Sequence, residues 1–190
     1  MKTHILPAIL FTLISVIALG IIYPLAMTGI AGLLFPAQAN GSMLSVDGKV
    51  VGSSIIGQLW TKPQYFHGRP SAAGKGYDPT STGGTNLGPT SKKLIDSTRA
   101  AIAALKKENP DANAPVPMDL VTSSASGIDP DVSVEGARYQ AARVAKARGL
   151  DLAKVDALID AHVSARQLGF LGEPHVNVLE LNLDLDKLKK

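Results

Sequence analysis

The stretch of this chain nearest to a nucleotide-binding motif is Gly68-Arg69-Pro70-Ser71-Ala72-Ala73-Gly74-Lys75-Gly76. A phosphate loop places four residues between its glycines and a Ser or Thr after its lysine, where the hydroxyl reaches magnesium. Here five residues separate Gly68 from Gly74, and Gly76 follows the lysine, so the stretch reads as an ordered Gly/Pro loop. Ser126-Gly127 carries Ser124 where a nucleophile elbow needs glycine, and Thr122 to Ser126 reads instead as a turn satisfied by its own hydroxyls. Asp129-Pro130-Asp131-Val132-Ser133 begins like a calcium loop, but Val134 stands at its sixth position and Gln140 at its twelfth. Acidic residues there suit a helix N-terminus better. The histidines at 4, 67, 162 and 175 have no ligand-like spacing, and His162 falls near the inner edge of a predicted helix. The residues alone therefore supply neither a metal site nor a nucleophile.

Whatever these residues do, they do it on a tethered domain. Ile5 to Phe35 contains no charged side chain and is longer than the ~20 residues a bilayer core requires. Ala37-Gln38-Ala39 has the form of a signal-peptide cleavage site, yet the apolar run is about twice the ~7 to 15 residues usual for such a peptide, and Pro24 lies inside it. A retained anchor is expected. Lys2 precedes the span and no Lys or Arg follows until Lys49, which predicts a cytoplasmic N-terminus and a domain from about residue 37 to Lys190 on the outer, periplasmic side. The absence of cysteine is compatible with an oxidising compartment.

Composition narrows the partners. The chain has 19 basic and 16 acidic residues, and setting Lys2 aside leaves the outer domain at +2. That near-neutrality, with aromatics at only 5 %, gives no nucleic-acid footprint.

The positioning elements follow from periodicity and punctuation. Asp47-Gly48 between β-branched stretches predicts a hairpin. Residues 61 to 90 hold four prolines and six glycines, which forbid regular structure, while Trp60, Tyr65, Phe66 and Tyr77 predict that this loop packs against something. Leu94, Ile95, Ile102 and Leu105 predict a helix over about 91 to 108. A second helix runs from Ser133 to Gly149, and a third from Asp151, burying Leu152, Val155, Leu158, Ile159 and Val163, to Gly169. Alternation from Val176 to Leu185 predicts a strand with a bulge between Val178 and Leu179. The expected fold class is α+β: a single N-terminal transmembrane helix over residues 1–36, then one mixed α/β extracytoplasmic domain over 37–190.

Eight strings in order carry a specific resemblance: Tyr23-Pro24-Leu25, Asn40-Gly41-Ser42, Gly52 to Gln58, Tyr65 to Ser71, Ser81 to Leu87, Val116-Pro117 with Leu120 to Asp129, Gln140 with Arg143 to Arg148, and Val176 to Asn182. Along essentially its whole length the chain resembles the C-subunit family of the Kdp potassium-transporting P-type ATPase. Thr85, where Ser is frequent in that family, is a mild departure.

The resemblance implies a non-catalytic accessory subunit of an ATP-driven, high-affinity potassium uptake complex in the cell inner membrane. Its implied partners are a potassium-selecting A subunit and a B subunit that hydrolyses ATP. The family is also described as a catalytic chaperone that raises the ATP affinity of the B subunit, with no tightly bound cofactor of its own and with ATP at, or shared with, that partner. Gln140 is the residue the resemblance would put near nucleotide. The residues add their own expectations. Gly29 and Gly32, among the small residues of the span, would let another membrane helix approach. Tyr65, Phe66 and Arg69 would anchor a contact in the loop, or Tyr65 and Phe66 would fill the domain's own core. Arg69→Ala is expected to leave the domain folded but lower transport if Arg69 lies at a contact. A membrane-anchored periplasmic hydrolase or binding protein, using the 61–90 loop and a carboxylate such as Asp129, is the alternative from another class.

Overall fold

A computed structural model describes residues 2–188, so the C-terminal position Lys190, on which the sequence-based topology was framed, lies outside the described residues. The chain divides into two units, residues 1–51 and 52–190.

In the first unit, α1 (Lys2–Ser15), a wider π-helical stretch (Val16–Ile22) and α2 (Tyr23–Leu34) make one apolar helix. It is long and apolar enough over Thr3–Leu34 to cross a bilayer, and none of its side chains is buried in the chain. The wide turn has a local cause. Pro24 lacks an N–H and its ring crowds the carbonyl four residues back, and the register opens just before it, where the Tyr23 N–H donates to the Ala18 carbonyl five residues away. A short helix α3 (Pro36–Ala39) follows, and then strands β1 (Met43–Val46) and β2 (Lys49–Ser53) pair in a two-stranded sheet. Asp47 and Gly48 both have positive φ, 51° and 76°, as the predicted tight hairpin turn requires.

The second unit is built around α5 (Val134–Arg148). Ser133 caps it by accepting from the Gly136 N–H, and Gly149 ends it in the left-handed region, φ 65°. Its inward face packs on α6 (Leu152–Ala161), capped by Asp151. Beside it lies an antiparallel sheet in the order β3 (Asp131–Ser133), β5 (His175–Asn177), β4 (Val163–Ser164), with Val132 and Val163 both opposite Val176. The core joins Val132, Val144, Val155, Ile159, Val176 and Leu181. Helix α4 (Lys92–Glu108), capped by Ser91, contributes only part-buried residues such as Leu105.

Two expectations are corrected here. The strand predicted over 176–185 is only the short β5, followed by helix α7 (Val178–Lys187). Val178, Leu179, Leu181, Asn182 and Leu185 are its buried residues, a helical spacing that alternating leucines concealed. Asn177 accepts from the Glu180 N–H, so the Asn-x-x-Glu pattern was the overlooked start signal. The third helix also stops at Ala161 rather than Gly169. His162 caps it, Val163 leaves it to pair with β5, and Gly169 turns the tip between β4 and β5 with φ 82°.

Candidate functional site

From Thr61 to Pro89 the backbone forms neither helix nor strand, so its polar groups must find other partners. Side chains of α5 and α7 provide them. The Gln140 amide, fully buried, accepts from the His67 N–H at 2.8 Å and donates to the His67 carbonyl at 3.0 Å. Asn182, also fully buried, treats Phe66 in the same way, accepting from its N–H and donating to its carbonyl, both at 2.9 Å. Each amide thus replaces a missing strand. Arg143 donates to the carbonyls of Pro63 and Tyr65 and to Asn109, and its Nη2 donates to Gln140 at 2.8 Å. Burial pushes the Arg143 guanidinium below its ordinary pKa, a shift that Glu108, 3.7 Å away, opposes. Arg148 donates to the Gln64 carbonyl and Asp186, and its guanidinium lies 4.8 Å from the centre of the Tyr65 ring, which also packs on Trp60.

The second half of the loop is fastened to residues 126–129. Arg69 Nη1 meets Asp129 Oδ2 at 2.9 Å, and Asp129 Oδ1 accepts from the Asp131 N–H. Ser71 donates to the Gly127 carbonyl while accepting from the N–H groups of Ala73 and Tyr77, so the stretch that mimics a phosphate loop curls around its own serine. Gly127, at φ 71°, sits so close that an added Cβ would lie 2.7 Å from the Ala73 Cβ. The Tyr77 hydroxyl donates to the Arg69 carbonyl at 2.7 Å, and burial, aided by Asp129 and opposed by Arg69, pushes its pKa up to about 12. A cavity of about 360 Å³ lies between this loop and α4, with His67, Lys75 and Glu108 among its walls. His67 Nδ1 lies 3.1 Å from Glu108, and that hydrogen bond holds the Glu108 carboxyl below its ordinary value.

The sequence-predicted residues fall in different places. Gly29 and Gly32 have nothing within 4 Å of where a Cβ would stand, leaving an open strip on the membrane-type helix. Tyr65 is part-exposed at the Trp60–Arg148 stack, with its hydroxyl donating to Asp186 at 3.1 Å. Phe66 is fully buried in the core, as the packing alternative for it expects. Arg69 is an internal ion-pair partner, with about a quarter of its side chain exposed. Gln140 lines the cavity, but its amide is spent on the loop and Arg143. Asp129 has both carboxylate oxygens engaged, one by Arg69 and one by the Asp131 N–H. In the stretch Thr122 to Ser126, expected to satisfy itself through its hydroxyls, Thr122 donates to the Met118 carbonyl, and Ser124 and Ser126 accept from the N–H groups of Gly127 and Ile128. Among the described residues no group of three or more His, Cys, Asp or Glu could hold a metal. Asn182 was missed because its position had been assigned to a strand; an Asn on the apolar side of a helical repeat was the available signal.

The architecture is now a membrane-length helix followed by an α/β unit with a side-chain-clamped loop, and known proteins match the sequence of both over nearly its full length. The family model for the K+-transporting ATPase c chain, KdpC, matches residues 5–187. The chain belongs to the KdpC family. It is 54 % identical over 188 residues to the potassium-transporting ATPase KdpC subunit of Myxococcus xanthus, covering 98 % of this chain and 89 % of that one. The KdpC subunit of Nitratidesulfovibrio vulgaris is 53 % identical over 189 residues, 99 % and 96 % of the two chains, and that of Koribacter versatilis 50 % over 187, 98 % and 95 %. Three of the strings that first carried the KdpC resemblance, 65–71, 140–148 and 176–182, meet at the clamp.

Proposed function

We propose that this chain is a non-catalytic accessory subunit of an ATP-driven, high-affinity potassium uptake complex. Its N-terminal helix anchors it once in the cell inner membrane, with the N-terminus cytoplasmic and the domain from about residue 37 in the periplasm. The observation that carries this reading is the charge-free helix Thr3–Leu34, none of it buried by its own chain, on a KdpC-family sequence. A single such helix with an open Gly29/Gly32 strip suits packing against other membrane helices. The partners are the potassium-selecting A subunit, on which the outer domain packs, and the ATP-hydrolysing B subunit.

ATP binds at, or is shared with, the B subunit, and the chain holds no tightly bound cofactor. As a catalytic chaperone it raises the ATP affinity of the B subunit. With its domain on the opposite side from ATP, that effect passes through shared transmembrane contacts as a coupling free energy, typically about 1–3 kcal/mol or about 5- to 150-fold in affinity. The test has two arms. A C-terminal reporter active only in the cytoplasm stays silent in intact cells, and strong activity refutes the external domain. Complex prepared without this chain shows a raised KM for ATP, and an unchanged KM removes the chaperone role.

A further inference from the structure

A second concavity lies away from the clamped loop. A groove of about 940 Å³ runs between the Pro-rich segment 111–118 and helices α5 and α6. Its floor is apolar: Tyr139 and Ala141 are buried beneath it, while Met118 and Leu152 stand 72 % and 44 % exposed in it. An exposed methionine is an adaptable contact residue, and a concave apolar surface left open on a folded unit marks an interaction site.

The rim is acidic on balance. Asp111, Glu135, Asp156 and Asp160 line it against a single guanidinium, Arg138. Asp160 pairs with Arg138 at 2.7 Å and Asp111 with Lys146 at 3.3 Å, both in exposed positions where such pairs are weak and exchangeable. Glu135 and Asp156 make no ion pair within 4 Å among the described residues, although both act on Arg138 through its charge. The chain as a whole is +3, so this acidity is local. Asp156 and Asp160 stand one turn apart on α6, opposite Glu135 and Arg138 on α5, so the charges form rows along the groove. Rows suit an elongated partner. An anionic lipid surface or nucleic acid would meet like charge here and be repelled.

We infer that this groove docks a segment of a partner subunit that carries an apolar residue flanked by Lys or Arg. The apolar residue fills the floor at Met118 and Leu152, and its basic neighbours meet Glu135 and Asp156. The inference rests on the reading that the chain works inside a multi-subunit complex, and its test separates the two.

A photo-crosslinking residue is placed at Met118 of the full-length chain, the assembled complex is irradiated, and the joined peptides are identified by mass spectrometry. The expected product joins position 118 to another subunit, within a few residues of Lys or Arg. Combining it with Glu135→Gln and Asp156→Asn lowers the yield about fivefold, the size expected for two part-exposed charge contacts, and raised salt does the same. Thermal unfolding of that double variant falls by no more than about 2–4 °C, the loss of the first-turn charge of Glu135 on α5, so the domain stays folded at the temperature of the experiment. A product on an acidic or neutral stretch insensitive to salt, a product with a second copy of this chain, or no product from an intact complex each overturns the docking surface. Failure of the chain to co-purify with any other subunit overturns the complex itself, and the docking with it.

Discussion

Replacing Gln140 with leucine, a side chain of similar size, removes one half of the clamp without opening a large cavity. The His67 N–H and carbonyl lose their partner, as does Arg143 Nη2. A buried polar group left unpaired costs about 1–3 kcal/mol, so the two backbone groups alone come to about 2–6 kcal/mol. His67 is only part-buried and leucine adds some apolar burial, which places the net loss near 3 kcal/mol. For a domain of this size each kcal/mol moves Tm by about 2–4 °C, giving a fall of about 6–12 °C. Asn182→Leu removes the corresponding pair of bonds from Phe66 and should cost at least as much, since Phe66 is fully buried.

Circular dichroism of the full-length chain in detergent measures both, and the double variant should lose less than the sum, because either change already releases the same strand of loop. A fall of under about 2 °C in both single variants would refute the clamp, being smaller than one lost buried hydrogen bond. The same variant discriminates the role of Gln140 in the complex. The clamp requires Tm to fall; a normal Tm together with a raised KM for ATP would mean that the amide serves nucleotide and not the loop.

Gly29→Leu with Gly32→Leu fills the open strip of the membrane helix and should lower co-purification with the other subunits and growth at limiting potassium; unchanged recovery would make the helix a passive anchor. Loss of the Arg69–Asp129 pair in Arg69→Ala should cost about 2 kcal/mol, seen as a lower Tm of a chain that still folds, and an unchanged Tm would give Arg69 a surface role. Tyr77 has its pKa raised from 10.0 to about 12, so its contribution is fully present below pH 10 and is lost as pH rises toward 12; Tyr77→Phe should flatten the alkaline limb of a Tm-against-pH curve. Glu108 is shifted the other way, below 4.5 through its bond to His67, so its contribution holds above pH 4.5 and fades as pH falls through the depressed value, a limb that Glu108→Gln should remove.

Much of the fold was legible because its signals are local. Ser91, Ser133 and Asp151 cap the helices they were expected to cap, Gly149 closes α5, and Asp47-Gly48 makes the turn. The failures came where two periods competed. Leu179, Leu181, Leu183 and Leu185 alternate perfectly, and the Asn177-x-x-Glu180 start and the burial of Asn182 beside Leu181 reveal a helix. Val163 fits both the third helix and a strand, and its pairing with Val176, a distant residue, decides the matter. The site was legible only as a place. Breakers at 61–90 told that the backbone is irregular, and the aromatics told that it packs. Partners such as Gly127, Gln140 and Asn182 lie 56 to 116 positions away, and no local pattern announces them.

That distance also explains why the loop can be irregular and still ordered. Six glycines give up more backbone freedom on folding than any other residue would, and ordering a residue costs about 1–2 kcal/mol. Two amides each bind both backbone groups of one residue, and two guanidiniums cover the carbonyls of Pro63, Gln64 and Tyr65, so residues 63 to 67 are fixed without a neighbouring strand. A strand there would have placed alternate side chains on opposite faces. The clamp instead sends Phe66 into the core while leaving Tyr65 against Trp60 and Arg148, and it frees the chain beyond to turn back over α4. A surface held in this way meets a partner with its ordering cost already met, so contacts made by the loop would appear in affinity rather than in a slow rearrangement on binding.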